Sequence, residues 1–424
     1  MDKNSENYQW YLSLLRKELV PALGCTEPIA IAYASAKAAE LLGGEPERLL
    51  VQCSGNIIKN VKAVIVPKTG SLRGIEASAV LGAVGGDASK KLEVLESVTP
   101  EKLAHAKELL AKEICQVELI PNTANLHIIV TAYRGTGSAQ VEIKEEHTNI
   151  THMEKDGQTV FDAQTQTGEQ EDGRPMSLQE IYEFASTVDL EDVSPLLEQQ
   201  IAYNTRIAEE GLAHHYGANV GATLLECYGQ DVKTLAKAYP AAGSDARMSG
   251  CTLPVVINSG SGNQGMTVSL PVIKYAEHLD SSREQLYRAL VLSNLTAIHQ
   301  KKGIGRLSAY CGVVSAAAGS GAGIAYLHGA DLDTISRTVV NTLANVSGIV
   351  CDGAKPSCAA KIASAVDAAV MGYLMAQKGR GFQPGEGLVK ENAEKTIASV
   401  ARVGRDGMRQ TDAEILSIMV EKDK

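Results

Sequence analysis

RLSAYCGVVSAAAGSGAG (306–323) and NVSGIVCDGAKPSCAAK (345–361) are the stretches around which this chain is organised. Both are rich in small residues, glycine and alanine above all, so backbones can approach closely there and leave room for a buried site. Between them they carry Cys311, Cys351 and Cys358. Thiolates are soft ligands that suit iron–sulfur clusters and zinc. The gaps of 40 and 7 residues match neither a zinc finger nor a ferredoxin run. Spacing alone therefore leaves buried structural cysteines as the plainer reading. Two local features favour ligation. DGAKPS (352–357) is a loop able to wrap a cluster and offer it backbone N–H groups, and the run after Cys311 is small enough to lie against a bulky cofactor.

Outward from these stretches, helix follows helix. The pattern predicts helices over 177–187, 193–215, 217–238, 268–279, 282–300, 331–346, 358–378 and 389–403, joined by Gly-rich loops at 257–265 and 320–324. Earlier in the chain the texture differs. Strand-like runs occupy 49–53, 61–67, 114–120 and 126–134, polar-alternating strands continue through 137–165, and short helices fit 74–83 and 100–114. The acidic stretch 166–174 reads as an exposed loop. A first helix over 7–22 breaks at Pro21 and Gly24. The fold class expected is α+β. Residues 1–43 form N-terminal helices carrying Cys25, 44–175 an α+β lobe with a mostly antiparallel sheet, and 176–424 a helical domain with the cysteine triplet. No internal repeat is evident.

With 424 residues the chain has length for two or three domains. Its formal net charge of −10 argues against a nucleic-acid or anionic-membrane partner. The first residues show no signal-peptide pattern, and no run of about twenty apolar residues is seen, so a cytoplasmic protein is expected. In that compartment eight cysteines read as thiols or metal ligands rather than disulfides.

GCTEPIAIA (24–32) opens a strong helix, with Thr26 as cap, Pro28 in the first turn and Gly43-Gly44 as stop. Cys25 thus sits at a helix N-terminus, where the dipole is expected to stabilise its thiolate. A buried, apolar cysteine is the alternative. NSGSGNQG (258–265) frees its backbone to point N–H groups at a carboxylate or phosphate, with Ser259, Ser261, Asn263 and Gln264 as further donors. It lacks the ending of a Walker A loop, and an ordinary turn is the alternative. KTGSLRG (68–74) offers Lys68 and Arg73 to a carboxylate, or is a solvated turn. His214-His215 suit capping a helix end, and Cys53, Cys115, Cys227 and Cys251 are assigned to the core. No nucleophile elbow, HExxH or post-strand GxGxxG occurs.

Taken together, GCTEPIAIA, SGNIIKN (54–60), PKTG (67–70), GSGNQG (260–265) and the cysteine triplet resemble one family over nearly the whole chain. It is the iron–sulfur-dependent L-cysteine desulfidases, closely akin to the alpha part of iron–sulfur L-serine dehydratases and including uncharacterised bacterial members. The resemblance implies an oxygen-sensitive 4Fe–4S cluster held by Cys311, Cys351 and Cys358, with Cys25 as proton acceptor or reversible cluster contact. It does not imply pyridoxal phosphate. The implied substrate is a small amino acid, held by the 257–265 loop and Lys68. Elimination from cysteine would give pyruvate, ammonia and sulfide; serine dehydration at the same site and a non-catalytic thiol or metal protein are the alternatives. A homodimer is left open. Some serine dehydratases carry a cysteine in a C-terminal tail near the cluster. Here the last cysteine is Cys358, which leaves Cys25 for any fourth contact.

Overall fold

The computed structural model describes residues 1–163 and 174–420, so most of the expected loop at 166–174 lies outside the described residues. Helix α1 (Glu6–Glu18) is capped by Ser5 and buries Tyr8 and Tyr11 against Phe184. Strand β1 (Pro21–Leu23) follows, then α2 (Thr26–Leu42), which Gly43 ends in a left-handed conformation at φ 84°.

The sheet lobe contains β2 (Arg48–Cys53), α3 (Gly55–Val61), α4 (Gly74–Gly85), α5 (Pro100–Ala111), β3 (Cys115–Leu119), β4 (His127–Arg134), β5 (Gly137–Lys144), β6 (Ile150–Lys155) and β7 (Gln158–Asp162). Strand order is β3-β2-β4-β5-β6-β7. Only β2 and β3 pair in parallel, because the helices between them provide the crossover a parallel pair needs. Helix α2 covers β4 and β5 and packs on α4, where Gly82 lets the Ala32 backbone come close.

The helical half runs α6 (Leu178–Thr187), α7 (Leu190–Ala213), α8 (Val220–Tyr228), α9 (Val232–Met248), β8 (Pro254–Val256), α10 (Gly262–His278), α11 (Arg283–Ile304), α12 (Gly312–Leu327), α13 (Leu332–Val346), α14 (Cys358–Gln377), α15 (Ala393–Arg402), a π-helical turn (Val403–Gly407) and α16 (Arg409–Val420). The α+β class expected from the sequence is the one observed.

Several local expectations are corrected. The apolar run 61–67 forms no strand, only a single bridge between Ile65 and Arg73. The helix expected over 217–238 is two, parted at Gly229 and restarted by Asp231 as cap. The supposed loop 320–324 lies inside α12, the buried centre of the helical half, packed by α10, α11, α13 and α14. Its small residues mimic a loop in composition but serve close packing, since a methyl at Gly319 would meet the Ser293 carbonyl. Cys227 is exposed rather than core. Helix α14 is long and apolar enough to cross a membrane by length and composition, contrary to the sequence expectation, but half of that window is buried inside the protein.

Candidate functional site

Two long-range pairings assemble the site. β1 pairs antiparallel with β8, Pro21 opposite Val256 and Leu23 opposite Pro254, which sets Cys25 beside the 257–265 loop. A second bridge, Tyr310 with Val350, is closed by Cys311 N–H donating to Ile349 O (3.1 Å) and Cys351 N–H to Ala309 O (2.6 Å). It brings Cys311 and Cys351 to the same place.

The result is one narrow cavity of about 90 Å³. It is lined by Cys25, Cys311, Cys351 and Cys358 and by Ser259, Ser261, Asn263 and Gln264. The N-terminal residues of α2, α10, α12 and α14 all reach it: Cys25 and Cys311 are cap residues, Ser261 is the cap of α10, and Cys358 begins α14. Four helix starts facing one space make it favourable for negative charge.

Cys25 is buried, and its thiol donates to Glu27 Oε2 at 3.0 Å. Burial, then the neighbouring Glu27 charge, push that thiol well above its ordinary value, with Arg247 opposing. The expected dipole-stabilised thiolate is therefore corrected: desolvation and a carboxylate outweigh the helix start, and Cys25 holds its proton. Burial also acts to raise Glu27, but the His147 imidazole and the Cys25 thiol outweigh it and hold the carboxyl down to about 2. His147 Nε2 stands 3.8 Å from Glu27 Oε1, within ion-pair reach, and has no shorter polar contact. Thr26 Oγ1 donates to Gly260 O at 2.9 Å, tying this turn to the opposite loop. Gly260, at φ 77°, passes so near His147 that a side chain would crowd the ring.

Arg247, 2% exposed, donates from an Nη1 to Asn263 Oδ1 at 3.2 Å and leaves its Nε without a partner. Gln264 Oε1 and the Tyr310 hydroxyl are likewise buried and unpartnered. Orphaned polar atoms of this kind are costly unless a ligand or water meets them. Lys301 also lines the cavity; burial pushes its ammonium down to about 8, against the pull of Cys351 and Cys311. Arg306 is committed elsewhere, forked onto Glu18 with both bonds at 2.7 Å.

All the site residues expected from the loop line the cavity, but most of their polar atoms serve the fold. Ser259 donates to Asn258, Ser261 caps α10, and Asn263 holds Arg247; Gln264 alone among them keeps a buried acceptor open. Lys68 is not among the cavity-lining residues and lies where its charge acts on Glu96. Sequence reasoning passed over Glu27, His147, Arg247 and Lys301. Only Glu27 had a signal, its place two residues after Cys25; the others are single residues from separate elements.

The three other cavity thiols interact. Cys311 is raised by burial and then by the charges of Cys351 and Cys358, and Cys358 by burial, with Cys351 adding to it. All are free cysteines. Among the described residues no three His, Cys, Asp or Glu side chains converge on a single ion position. Three soft thiols lining one cavity are the donor type that iron–sulfur clusters take.

A family model described as serine dehydratase alpha chain matches residues 89–417. The chain belongs to the serine dehydratase alpha-chain family. That match spans the 257–265 loop and the cysteine triplet, while Cys25 and Glu27 precede it. The chain is also similar along its whole length to bacterial proteins called UPF0597 protein. That of Lachnoclostridium phytofermentans is 57% identical over 97% of this chain and 100% of its own. That of Desulfitobacterium hafniense is 52% identical over 100% and 99%, and that of Finegoldia magna 48% over 97% and 99%.

Proposed function

We propose that this protein is an iron–sulfur-dependent lyase of amino acids, an L-cysteine desulfidase that converts L-cysteine to pyruvate, ammonia and sulfide. One observation carries the reading: Cys25, Cys311, Cys351, Cys358 and the 259–264 turn, scattered through the sequence, line a single cavity. Cys311, Cys351 and Cys358 would hold a 4Fe–4S cluster. Bound there with three protein ligands, it would supply a Lewis-acidic iron that eases departure of the substrate sulfur. Pyridoxal phosphate has no part in the proposal. A cytoplasmic setting goes with it, because free thiols and an open iron are damaged by oxidants.

The chain's own residues bind and move protons. Arg247, with its open Nε, receives the substrate carboxylate. Gln264 Oε1 accepts from the α-ammonium. Cys25 and Glu27 form the proton carrier: Cys25 gives its proton to the departing sulfur and receives one from Cα, with Glu27 holding the thiol in line. The proton lost from Cα balances the proton gained by sulfide, so the carrier is restored each turnover. The aminoacrylate released hydrolyses to pyruvate and ammonia.

L-Serine dehydration by the same residues is the second reading, favoured by the name of the matching family model. The test is an anaerobic preparation reconstituted with iron and sulfide, assayed for sulfide and pyruvate from L-cysteine and for pyruvate from L-serine. Brown protein with higher kcat/KM on cysteine supports the desulfidase, and preference for serine moves the activity to dehydration. A sample that takes up no iron and forms no product returns the protein to a non-catalytic thiol or metal-binding role.

A further inference from the structure

Helix α16 is held to the body lightly, and one of its side chains reaches the site's wall. None of residues 409–419 is buried. Leu416 packs on Gly55, and Lys62 Nζ donates to the Met419 carbonyl. A further anchor is Asp412, which accepts from Asn56 Nδ2 at 2.6 Å and pairs with Lys59. Lys59 is 1% exposed, and its ammonium also donates to the carbonyl of Cys351 at 3.2 Å.

The segment that Lys59 holds is the irregular one. Residues 351–357 form no helix or strand. Gly353, at φ 94°, rests against the Lys59 carbonyl so closely that a side chain would collide with it. Its first residue is also held to the stretch before Cys311, by Cys351 N–H donating to Ala309 O, and the rest is tied to itself and to α14, through Lys355 with Asp352 and Lys361 with Asp352. The cavity, about 90 Å³, is smaller than the ~150 Å³ engineered cavity that admits benzene, so its walls lie close together. Cys351, Gly353 and Ala354 of the 351–357 segment form part of those walls. The π-helical turn Val403–Gly407 precedes α16, and such turns often mark functional joints. Its Gly404 carbonyl accepts from Ser308 Oγ at 2.6 Å, so the joint is fastened to the segment leading into Cys311.

We propose that α16 is a latch on the Cys351–Cys358 loop, with Asp412 fixing Lys59 and Lys59 fixing the Cys351 carbonyl. Both are positioning residues and touch no substrate. Opening the latch exposes Cys351 and its loop; closing it fixes the thiol on the cavity wall. The consequence for cluster retention rests on the function proposed above, whereas the latch itself does not.

The test measures alkylation of Cys351 by iodoacetamide in metal-free protein, read by peptide mass spectrometry. Cys227, exposed on α8, is the internal control for reagent. Asp412→Asn removes the carboxylate charge that faces Lys59, at nearly constant shape. Lys59→Met/Asp412→Leu removes both charges together, so no buried ion is left unpaired should the single variant fail to fold. In the folded variants Cys351 is expected to react at least about tenfold faster, as local opening becomes easier, with Cys227 unchanged. An unchanged Cys351 rate in the folded double variant overturns the latch. After anaerobic reconstitution, iron loss in air is expected to quicken in the same variants. Faster labelling in a protein that binds no cluster keeps the latch and removes the cluster; a cluster-bearing protein with unchanged labelling does the reverse.

Discussion

The thiol of Cys25 points at the carboxylate of Glu27, Sγ to Oε2 3.0 Å, and both side chains are buried on the wall of one cavity. A thiol kept protonated by burial and by a neighbouring anion, on a carboxylate kept ionised, is a pair that holds one proton in a defined place.

Removing either partner separates holding from carrying. Cys25→Ala is expected to lower kcat by about 10²-fold or more with iron content unchanged. Glu27→Gln keeps the shape but offers an uncharged acceptor, and is expected to lower kcat by a smaller factor and to change the pH profile. Full activity of Cys25→Ala in iron-replete protein would dismiss Cys25 as proton carrier.

Glu27 also predicts a difference in acid stability. Its folded value of about 2 lies below the 4.5 of an ordinary glutamate. The folded state therefore binds this proton less readily than the unfolded chain. The stabilisation is complete above about 4.5 and disappears as pH falls toward 2. Between pH 5 and pH 2.5 the unfolding midpoint of the wild type should fall further than that of Glu27→Gln. Parallel curves would show that the ionised Glu27 is worth nothing to the fold.

Asp245 predicts the opposite sign. It is buried in α9, accepts from Gly221 N–H at 3.1 Å and leaves Oδ1 without a partner; burial pushes its carboxyl up to about 6. The cost of ionising it is present in full above pH 6 and vanishes below 3.8, where both states are protonated. Asp245→Asn should raise the thermal midpoint at pH 7.5, and the gain should fade as pH falls from about 6 to about 4. A gain independent of pH would point to packing instead.

Arg247 predicts a binding effect. Losing hydrogen bonds to a charged group costs about 1.5–3 kcal/mol, so Arg247→Lys should raise KM for L-cysteine roughly ten- to a hundredfold with a smaller change in kcat. Lysine keeps the charge but not the fork. Unaltered KM in a folded variant would place the carboxylate elsewhere.

Much of the fold was legible because it is written in local patterns. Periodicity found α6, α11, α13 and α14 to within a few residues, and β4 with its alternating partners, since period 3.6 and period 2 survive in single segments. The GCTEP turn announced α2 through its cap and stop. Composition misled where one property serves two ends. The small residues of 320–324 read as loop but pack α12 against α11, and the β-branched run 61–67 read as strand but follows α3 into a turn. Cys227, apolar by type, lies on the surface.

The same division runs through the site. The sequence by itself determined the chemistry available: three soft thiols near the C-terminal half's centre, a cysteine at a helix start, and a turn rich in amide donors. Residue type and local backbone preference are enough for that. Only the tertiary structure decided that these parts meet, because the β1–β8 pairing and the Tyr310–Val350 bridge join residues hundreds and tens of positions apart. It also decided protonation. The helix start at Cys25 argues for a thiolate, and the surroundings decide for a thiol, because desolvation and the charge of Glu27 depend on what is packed around the sulfur rather than on the residues beside it in the chain. Arg247, His147 and Lys301 were invisible for that reason: each is an ordinary residue in its own segment and becomes part of a site only when the fold buries it beside the others.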